Sequence, residues 1–330
     1  MSQSQENRSI VVTGAAGFIG SNLLVSLAQD VEPADLVAVD LLDSSDKWKN
    51  LADCRFSHYF DRDEFLSRAL EDRLPGRPRA VFHLGACSST TERDSRFLMD
   101  TNTQFTLKLA QWCLNRGIRF IYASSAATYG DGSRGYADDD KGLSDLRPLN
   151  MYGYSKQLFD LWASQRGWLG TITGLKFFNV YGPREAHKGD MRSVIHKSWP
   201  EARDGGTVKL FKSHRPDFKD GEQTRDFVHV DDCVAVMKWL LTNPKATGIF
   251  NLGSGEESSW NKVIKALFKA SGKPEKIQYI DMPESIRDQY QYRTKADMKK
   301  LRKAGYSPSF TGIEEGVQRY VTWLKAHPGR

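Results

Sequence analysis

Short apolar segments alternate with amphipathic segments along the first 180 residues of the chain. Residues 9–13, 36–40, 80–86 and 119–125 are apolar runs rich in β-branched or aromatic side chains, which indicates buried strands. Residues 19–28 instead repeat their apolar positions with the spacing of a helix. Strands that alternate with helices form parallel sheets with helices on both faces. The pattern therefore predicts an α/β protein built on a doubly wound parallel sheet.

The second half of the chain is predicted to return to this sheet and to add a smaller lobe. Residues 150–165 fit a helix and 173–180 a strand, 226–242 combine an acidic start with helical periodicity, and 248–255 fit a late strand. No internal repeat or low-complexity linker interrupts these segments. We expect two interleaved domains: a large sheet domain of residues 1–180 and 226–255, and a smaller α/β lobe of residues 181–225 and 256–330.

A glycine-rich turn joins the first predicted strand to the first helix. Gly14, Gly17 and Gly20 stand in GAAGFIG. Glycines at such a turn let the main chain approach a pyrophosphate, and the helix N-terminus presents free N–H groups to it. A glycine triplet alone also fits an ordinary tight turn. Asp40 favours the ligand interpretation because it ends the second strand, where a carboxylate meets the adenosine ribose of a dinucleotide. The large domain is therefore predicted to be a Rossmann-type NAD(P)-binding domain, and the smaller lobe to bind the substrate.

The choice between the two nicotinamide dinucleotides depends on the charge near this ribose. A carboxylate suits a free ribose hydroxyl, whereas a 2′-phosphate is bound by cations. Lys47 and Arg62 follow Asp40 closely enough to supply these cations, although each also fits a solvated surface position. We therefore expect NADP, with NAD as the alternative.

Tyr152 and Lys156 carry the chemistry that the sequence predicts. They stand four residues apart in the predicted helix 150–165 and so share one face of it. A neighbouring ammonium favours phenolate, so we expect the pKa of Tyr152 to fall toward neutrality, where it can exchange a proton with a sugar hydroxyl. Ser125, at the carboxyl end of the fourth strand, is expected to hydrogen-bond to the same oxygen. In an isolated Y-x-x-x-K, the Tyr is more often a core residue and the Lys a solvated surface residue. Here the glycine turn and Ser125 favour catalysis.

Composition and charge narrow the class of protein. The 330 residues are 39% hydrophobic and 27% charged, no apolar segment is long enough to cross a bilayer, and the polar start of the chain carries no export signal. We expect a cytoplasmic protein that binds no membrane. Cys54, Cys87, Cys113 and Cys233 are widely spaced, so neither a disulfide nor a metal site is expected. The net charge of +6 is spread among acidic residues, which favours an anionic small molecule over nucleic acid.

Four longer strings point to a family. The set of Ser125, Tyr152 and Lys156 resembles the extended short-chain dehydrogenase/reductases. GACSSTTE, YASSAATYG, FFNVYGPREAHKG and TRDFVHVDD closely resemble the ADP-glycero-manno-heptose 6-epimerase family, and the resemblance extends over residues 9–325. It implies an isomerase in which hydride leaves C6 of an ADP-heptose for a tightly bound NAD(P), a 6-keto sugar forms, and hydride returns to the opposite face. Such an enzyme supplies heptose for the lipopolysaccharide core, and by analogy we expect a homo-oligomer.

The resemblance also implies roles for particular residues. Tyr152 would exchange the proton that accompanies hydride transfer, Lys156 would hold the nicotinamide ribose, and Lys188 would be a second base on the other side of the sugar. The predicted cofactor contacts are Gly14, Gly17, Phe18, Ile19, Gly20, Asp40, Leu41, Lys47, Arg62, Leu84, Gly85, Ala86, Cys87, Ser88, Lys156, Val180 and Lys188. The predicted substrate contacts are Ser88, Asn179, Asp190, Lys197, Phe211, Lys212, Ser213, His214, Arg225 and Tyr290.

The chain departs from the family pattern at a few positions. Leu41 replaces an Asn that can stand beside the ribose, Asp190 replaces a small hydroxyl residue, and Lys197 replaces a His that can contact the sugar. The segment SHRPDFKDGEQTRD is longer than the corresponding family loop, so residues 214–225 are either a mobile lid or an inert solvated loop.

Alternative functions use the same residues differently. A nucleotide-hexose 4-epimerase, for example of UDP-hexoses, would need Tyr152 and Lys156 but not Lys188. A dehydratase is disfavoured because Ala126 and Ala127 follow Ser125, where similar dehydratases carry an Asp-Glu pair. A non-catalytic dinucleotide sensor or scaffold has no need of the complete Ser, Tyr and Lys set.

Overall fold

A parallel sheet organises the molecule. The structure is a computed structural model that describes residues 9–287 and 290–329. Its strands are β1 Ile10–Thr13, β2 Leu36–Asp40, β3 His58–Asp61, β4 Ala80–His83, β5 Arg119–Ser125, β6 Thr173–Phe177, β7 Asn179–Tyr181, β8 Val208–Phe211, β9 Thr224–His229, β10 Gly248–Leu252, β11 Glu257–Ser259 and β12 Ile277–Ile280. Its α-helices are α1 Phe18–Leu27, α2 Arg62–Leu70, α3 Ser95–Leu98, α4 Phe105–Asn115, α5 Met151–Gln165, α6 Val194–Asp204, α7 Val230–Thr242, α8 Trp260–Ser271, α9 Glu284–Arg287, α10 Lys299–Lys303 and α11 Ile313–Ala326.

Seven strands form the large sheet, in the order β10-β6-β5-β4-β1-β2-β3. Every neighbouring pair in this sheet is parallel. The strand order reverses direction between β1 and β4, and ligands of open α/β sheets bind outside the carboxyl ends of the strands at such a point. The predicted fold class, a Rossmann-type doubly wound parallel sheet, is confirmed.

Both faces of this sheet are buried, which explains why its strands are continuous apolar runs. Alternate residues of β1 point to opposite faces, so Val12 packs in one hydrophobic core and Val11 in another. Helices α1 and α7 cover the first face, whereas α2, α4 and α5 cover the second. The alternation of strand and helix in the sequence thus corresponds to layers of helix, sheet and helix.

A third hydrophobic core lies among α6, α8 and α11. Two small sheets border it: β8 pairs with β12 in parallel, and β9 lies between β7 and β11. This part of the molecule contains helices and strands, as predicted for the smaller α/β lobe. The domain limits drawn from the sequence stay a prediction.

Two elements differ from the sequence prediction. The strand predicted over 173–180 is two strands, because the chain turns at Phe178 and β7 leaves the large sheet to pair with β9. Residues 226–229 belong to β9 rather than to the start of a helix, and α7 begins only at Val230. Asp226, Phe227, Val228 and His229 are all buried, so this run lacks the alternation of apolar and polar positions that would distinguish a strand from a helix.

Candidate active site

One large cleft lies at the carboxyl ends of the parallel strands and continues between the sheet and the third core. Its volume is about 1200 Å³. The predicted site residues that line it are Gly14, Gly17, Phe18, Ile19, Gly20, Asp40, Lys47, Leu84, Gly85, Ala86, Cys87, Ser88, Ser125, Tyr152, Lys156, Asn179, Val180, Lys188, Asp190, Lys197, Phe211 and Tyr290. Residues far apart in the chain therefore meet at one cleft.

Six predicted site residues do not line this cleft: Leu41, Arg62, Lys212, Ser213, His214 and Arg225. The side chain of Leu41 is 41% exposed. Arg62, at the start of α2, pairs with Asp63 and lies over the ring of Phe105, 5.7 Å from its centroid. These contacts hold Arg62 toward α4. Of the two cations predicted to bind a 2′-phosphate, Lys47 is therefore the one that lies in the cleft. The roles assigned to all six stay predictions.

The glycine turn is packed too closely for larger residues. Gly14 has a φ of +69°, and a Cβ placed there would lie 2.6 Å from the backbone nitrogen of Gly85. A Cβ on Gly20 would lie 2.1 Å from the carbonyl oxygen of Gly14. The main chain at the start of α1 therefore stays open to the cleft, as the pyrophosphate of a dinucleotide requires.

Asp40 joins this turn to the end of β2. Its Oδ2 accepts from the N–H of Ala16 at 2.7 Å, and its Oδ1 accepts from the N–H of Leu41 at 2.7 Å. The ammonium of Lys47 lies 3.1 Å from Oδ1. A carboxylate has about four acceptor positions, so Asp40 can still accept from a ribose hydroxyl. The same corner of the cleft thus offers a carboxylate and a cation.

Helix α5 presents the predicted catalytic pair. The side chain of Asn150 caps the helix by accepting from the N–H of Gly153 at 2.8 Å. Tyr152 in the first turn of this helix and Lys156 one turn later both line the cleft. The ammonium of Lys156 donates to the carbonyl oxygen of Ala123 on β5 at 2.8 Å, and Tyr152 is hydrogen-bonded to Ser125. The structure therefore brings together the three residues that the sequence singled out.

Burial sets the protonation behaviour of this pair. It raises the pKa of Tyr152, and the hydrogen bond from Ser125 opposes that rise. This direction is opposite to the one predicted from the sequence, because removal of the phenolate from water outweighs any effect of the neighbouring ammonium. Burial lowers the pKa of Lys156 to about 8, and the negative charge of Asp160 opposes that shift. Lys156 is thus still mostly an ammonium at neutral pH.

The sequence did not reveal the charge cluster that supports Lys156. Asp160 and Lys176 form an ion pair of 2.8 Å, and both side chains are 0% exposed. Tyr122 and Ser124 of β5 donate their hydroxyl protons to the two oxygens of Asp160, at 2.9 and 2.7 Å. The sequence did contain a signal for this pair, because Asp160 and Lys176 each stand within a segment predicted to be largely buried. Buried charges are usually paired, so the two could have been expected to meet.

A second supporting residue lies in an irregular helical turn. Residues Met99–Gln104 form a π-helical turn before α4. The amide of Asn102 accepts from the N–H of Cys87 at 2.9 Å and donates to its carbonyl oxygen at 3.0 Å. It also donates to the hydroxyl of Ser155, at 3.0 Å, beside Lys156. Asn102 therefore links the loop after β4 to α5, and no local pattern in the sequence marks this role.

Lys188 lies on the loop between β7 and α6. Its ammonium is over the ring of Phe18, 5.5 Å from the centroid, and burial lowers its pKa. The amide of Asn50 binds this loop to the glycine turn, since it donates to the carbonyl oxygens of Arg184 at 3.1 Å and of Ala16 at 3.0 Å. Lys188 thus lines the same cleft as Tyr152 from a different element.

Arg225 lies beside the far end of the cleft. Its side chain is buried between the rings of Trp260 and Tyr290, 5.7 and 5.0 Å from the centroids, and burial lowers its pKa. It donates to the carbonyl oxygen of Thr224 at 2.9 Å. Among residues 9–287 and 290–329, the ionisable side chains that act on its guanidinium are those of Tyr290 and Tyr136. A buried guanidinium with a planar fork of donors is a favourable partner for a diphosphate.

The long loop after β8 folds back on itself. The N–H of Ser213 donates to Asp220 at 2.8 Å, and the N–H of His214 donates to the hydroxyl of Tyr292 at 3.0 Å. The guanidinium of Arg215 lies 5.0 Å from the ring centroid of Tyr292. These bonds fasten the loop beside Tyr290, and the alternatives of a lid or an inert loop both stay open.

The described part of the chain contains no candidate for a metal site or a membrane-spanning helix. No group of three or more His, Cys, Asp or Glu side chains there could hold a metal ion. No helix in those residues has the length and apolar character that crossing a bilayer requires.

A model of the NAD dependent epimerase/dehydratase family matches residues 10–253. The chain belongs to this family. Membership makes a nicotinamide dinucleotide its cofactor, and the open glycine turn and Asp40 fit that group. An ADP-L-glycero-D-manno-heptose-6-epimerase from Nitratidesulfovibrio vulgaris (strain DP4) is 53% identical over 311 residues, which cover 94% of this chain and 96% of the relative. The enzyme of the same description from Fusobacterium nucleatum is 43% identical over 321 residues, with the same coverage. The resemblance predicted from the sequence strings is confirmed.

Solved structures of this family share the fold. The Helicobacter pylori ADP-L-glycero-D-manno-heptose-6-epimerase has a TM-score of 0.80 and 29% identity, and the match covers 99% of both chains. A Thermotoga maritima UDP-glucose 4-epimerase has a TM-score of 0.78 and 26% identity, and covers 97% of this chain and 99% of its own. The backbone alone therefore does not distinguish a heptose epimerase from a hexose epimerase.

Proposed function

We propose that this family member interconverts ADP-D-glycero- and ADP-L-glycero-D-manno-heptose by inverting C6. The main support for this proposal is the 53% identity, over 94% of the chain, to an ADP-L-glycero-D-manno-heptose-6-epimerase. The cleft supports the proposal because it is lined both by Tyr152 and, from a separate loop, by Lys188. A 4-epimerase with a single base gives no reason for a buried lysine at that place.

Three parts of the cleft would hold the cofactor. The turn from Gly14 to Gly20 would bind the pyrophosphate, Asp40 the adenosine ribose, and Lys156 the nicotinamide ribose. When bound, the nicotinamide takes a hydride from C6 and later returns it. The protein positions C6 against it and moves the protons.

Inversion requires proton exchange on both sides of C6. In one direction Tyr152 takes the proton of the C6 hydroxyl as the 6-keto sugar forms. After the keto group has turned its other face to the cofactor, Lys188 returns a proton to the new hydroxyl from the opposite side. The lowered pKa of Lys188 suits this exchange near neutral pH, because a buried ammonium gives up its proton more easily. In the reverse direction the two residues exchange roles.

Substrate binding is assigned to the part of the cleft near the third core. Arg225 would bind the diphosphate through its planar charged fork, beside the ring of Tyr290. The other proposed contacts with the ADP-sugar are Ser88, Asn179, Asp190, Lys197, Phe211, Lys212, Ser213 and His214. This set defines where substitutions should change the KM for the ADP-sugar.

The proposed dinucleotide is NADP. The ammonium of Lys47 lies beside Asp40, where a 2′-phosphate on the ribose would meet a cation. NAD stays the alternative, because the carboxylate of Asp40 also suits a free hydroxyl. The cytoplasmic location, the homo-oligomeric state and the two interleaved domains stay predictions of the sequence.

The deciding experiment incubates the purified protein, without added reductant, with ADP-D-glycero-D-manno-heptose. Inversion at C6 is followed by NMR, and UDP-galactose is the parallel substrate. We expect inversion of the heptose and no change in the hexose. Inversion of the hexose would support the 4-epimerase alternative. No inversion of either sugar would refute the proposal and direct attention to Asp190 and Lys197, where the chain departs from its relatives.

A further inference from the structure

A buried carboxylate closes the loop that carries Lys188. Glu185 directly precedes the 3₁₀ turn Ala186–Met191 and is 0% exposed. Ser193, which caps α6, donates to it twice: its N–H to Oε2 at 2.5 Å and its hydroxyl to Oε1 at 2.6 Å. Because one carboxylate binds the residue on the far side of the turn, the two ends of the loop are held at one point.

The same carboxylate faces the C-terminal helix. Burial raises the pKa of Glu185, and the two hydrogen bonds from Ser193, the charge of Lys188 and the nearby hydroxyl of Tyr320 on α11 oppose that rise and favour the carboxylate. Tyr320 belongs to the third hydrophobic core, together with residues of α6 and α8. Glu185 therefore lies between the loop and the core of the smaller lobe, while Asn50 ties the other side of the loop to the glycine turn.

Glu185 is also the negative charge that acts on Lys188. Burial lowers the pKa of Lys188, and Glu185, three residues earlier, opposes this shift. The neighbouring His187 stays neutral at physiological pH because burial and two nearby lysines lower its pKa to about 4. The other charged groups around the loop are Arg184 at its start, whose guanidinium lies 3.6 Å from the carboxylate of Asp53, then Asp40 and Lys47 beyond His187, Asp190 and Arg192 on the loop itself, and Lys197 on α6. Asp40 is already paired with Lys47.

We propose that Glu185 is a positioning residue for Lys188. The carboxylate of Glu185 fixes the loop at both ends and supplies the counter-charge for the ammonium of Lys188. The proposal rests on the proposed function, in which Lys188 must return a proton to the sugar. Glu185 does not line the cleft, so it acts through Lys188 rather than on the substrate. Displacement of a reacting group by about 1 Å can cost about 100-fold in rate, which makes such an anchor valuable.

The test compares three single substitutions. Glu185→Gln removes the charge and keeps the shape, Ser193→Ala removes one donor and keeps the charge, and the exposed Glu275→Gln is the matched control. Acetic anhydride acylates only the free amine, so the labelling of Lys188, measured by peptide mass spectrometry over a pH series, reports its protonation without any substrate. In parallel, kcat and KM are measured with the ADP-heptose.

We expect Glu185→Gln to move the labelling midpoint of Lys188 to lower pH, since the ammonium loses its counter-charge. Its kcat should fall by roughly 10- to 100-fold while KM changes little, because the substrate contacts remain. Ser193→Ala should lower kcat less and leave the midpoint in place. Glu275→Gln should change neither.

An unchanged labelling midpoint in Glu185→Gln would overturn the proposal, as would a fall in kcat no larger than that of Ser193→Ala. If Glu185→Gln does not fold, Glu185→Asp replaces it: it keeps the charge on a shorter stem, so kcat should fall without a shift of the midpoint. Wild-type kinetics in that variant would equally overturn the proposal. If the wild type does not epimerise the heptose, the proposed function fails, whereas the labelling series still decides whether Glu185 controls Lys188.

Discussion

Loss of the carboxylate of Asp160 should destabilise the fold by about 3–5 kcal/mol. Lys176 is 0% exposed, and its ammonium is held by Asp160 at 2.8 Å and by the hydroxyl of Thr128 at 2.6 Å. In Asp160→Asn the ammonium stays buried without its counter-charge, and breaking one partner of a buried ion pair costs about 3–5 kcal/mol. The amide oxygen still accepts from Tyr122 or Ser124, so the lost charge accounts for most of the expected change in the free energy of unfolding.

A double-mutant cycle measured by urea unfolding isolates this interaction. Lys176→Met removes the other charge, and the variant with both changes replaces the ion pair by neutral groups. The double variant should lose less stability than the sum of the single variants, by about 0.5–3 kcal/mol. Asp46→Asn is the control, because it breaks the exposed pair with Lys49, which should contribute about 0–1 kcal/mol. Strictly additive losses, or a loss in Asp160→Asn no larger than the control, would refute the reasoning.

Three further predictions test the site and its surroundings. Tyr152→Phe should lower kcat by about 10²- to 10⁴-fold. Lys188→Met leaves Tyr152 intact, so it should give reduced-nicotinamide absorbance with one epimer only. An equal response to both epimers would contradict the two-base mechanism. Lys47→Met should weaken NADP binding about 10- to 100-fold and leave NAD binding nearly unchanged in fluorescence titrations, and equal losses would argue against a 2′-phosphate contact. Burial raises the pKa of Asp226 from 3.8 to about 6. Between these two pH values the folded state retains a proton that the unfolded state releases. The free energy of unfolding should therefore fall by about 3 kcal/mol as the pH rises through this interval. Asp226→Asn should remove that slope in urea unfolding, and a slope unchanged by the substitution would assign it to other groups.

Local patterns in the sequence were sufficient to predict most strands of the large sheet. Its strands are buried on both faces, so each one is a compact apolar run between turns. The prediction was wrong where the chain changes sheets. The break at Phe178 and the start of α7 at Val230 depend on which strand β7 pairs with, and a single sequence does not encode that partner locally.

The same distinction applies to the site. The glycine turn and the i, i+4 pair of Tyr152 and Lys156 are local, so the sequence reveals them directly. Asp160 meets Lys176 from a different element, and Glu185 meets Tyr320 across 135 residues of chain, so only the fold shows those contacts. The direction of the Tyr152 pKa was missed because burial arises from tertiary packing, which outweighs the neighbouring charge.

The bonds between the Lys188 loop and the glycine turn have a consequence for how long the dinucleotide stays. Asn22 donates to the carbonyl oxygens of Phe18 at 2.8 Å and of Pro183 at 2.9 Å, while Asn50 joins Ala16 to Arg184. In an epimerase the hydride leaves and returns within one turnover, so the dinucleotide ends each cycle in its starting oxidation state. We therefore expect a loop that is hydrogen-bonded across the phosphate turn to slow the release of the dinucleotide, so that it remains bound as a prosthetic group while the sugar nucleotide exchanges in each turnover.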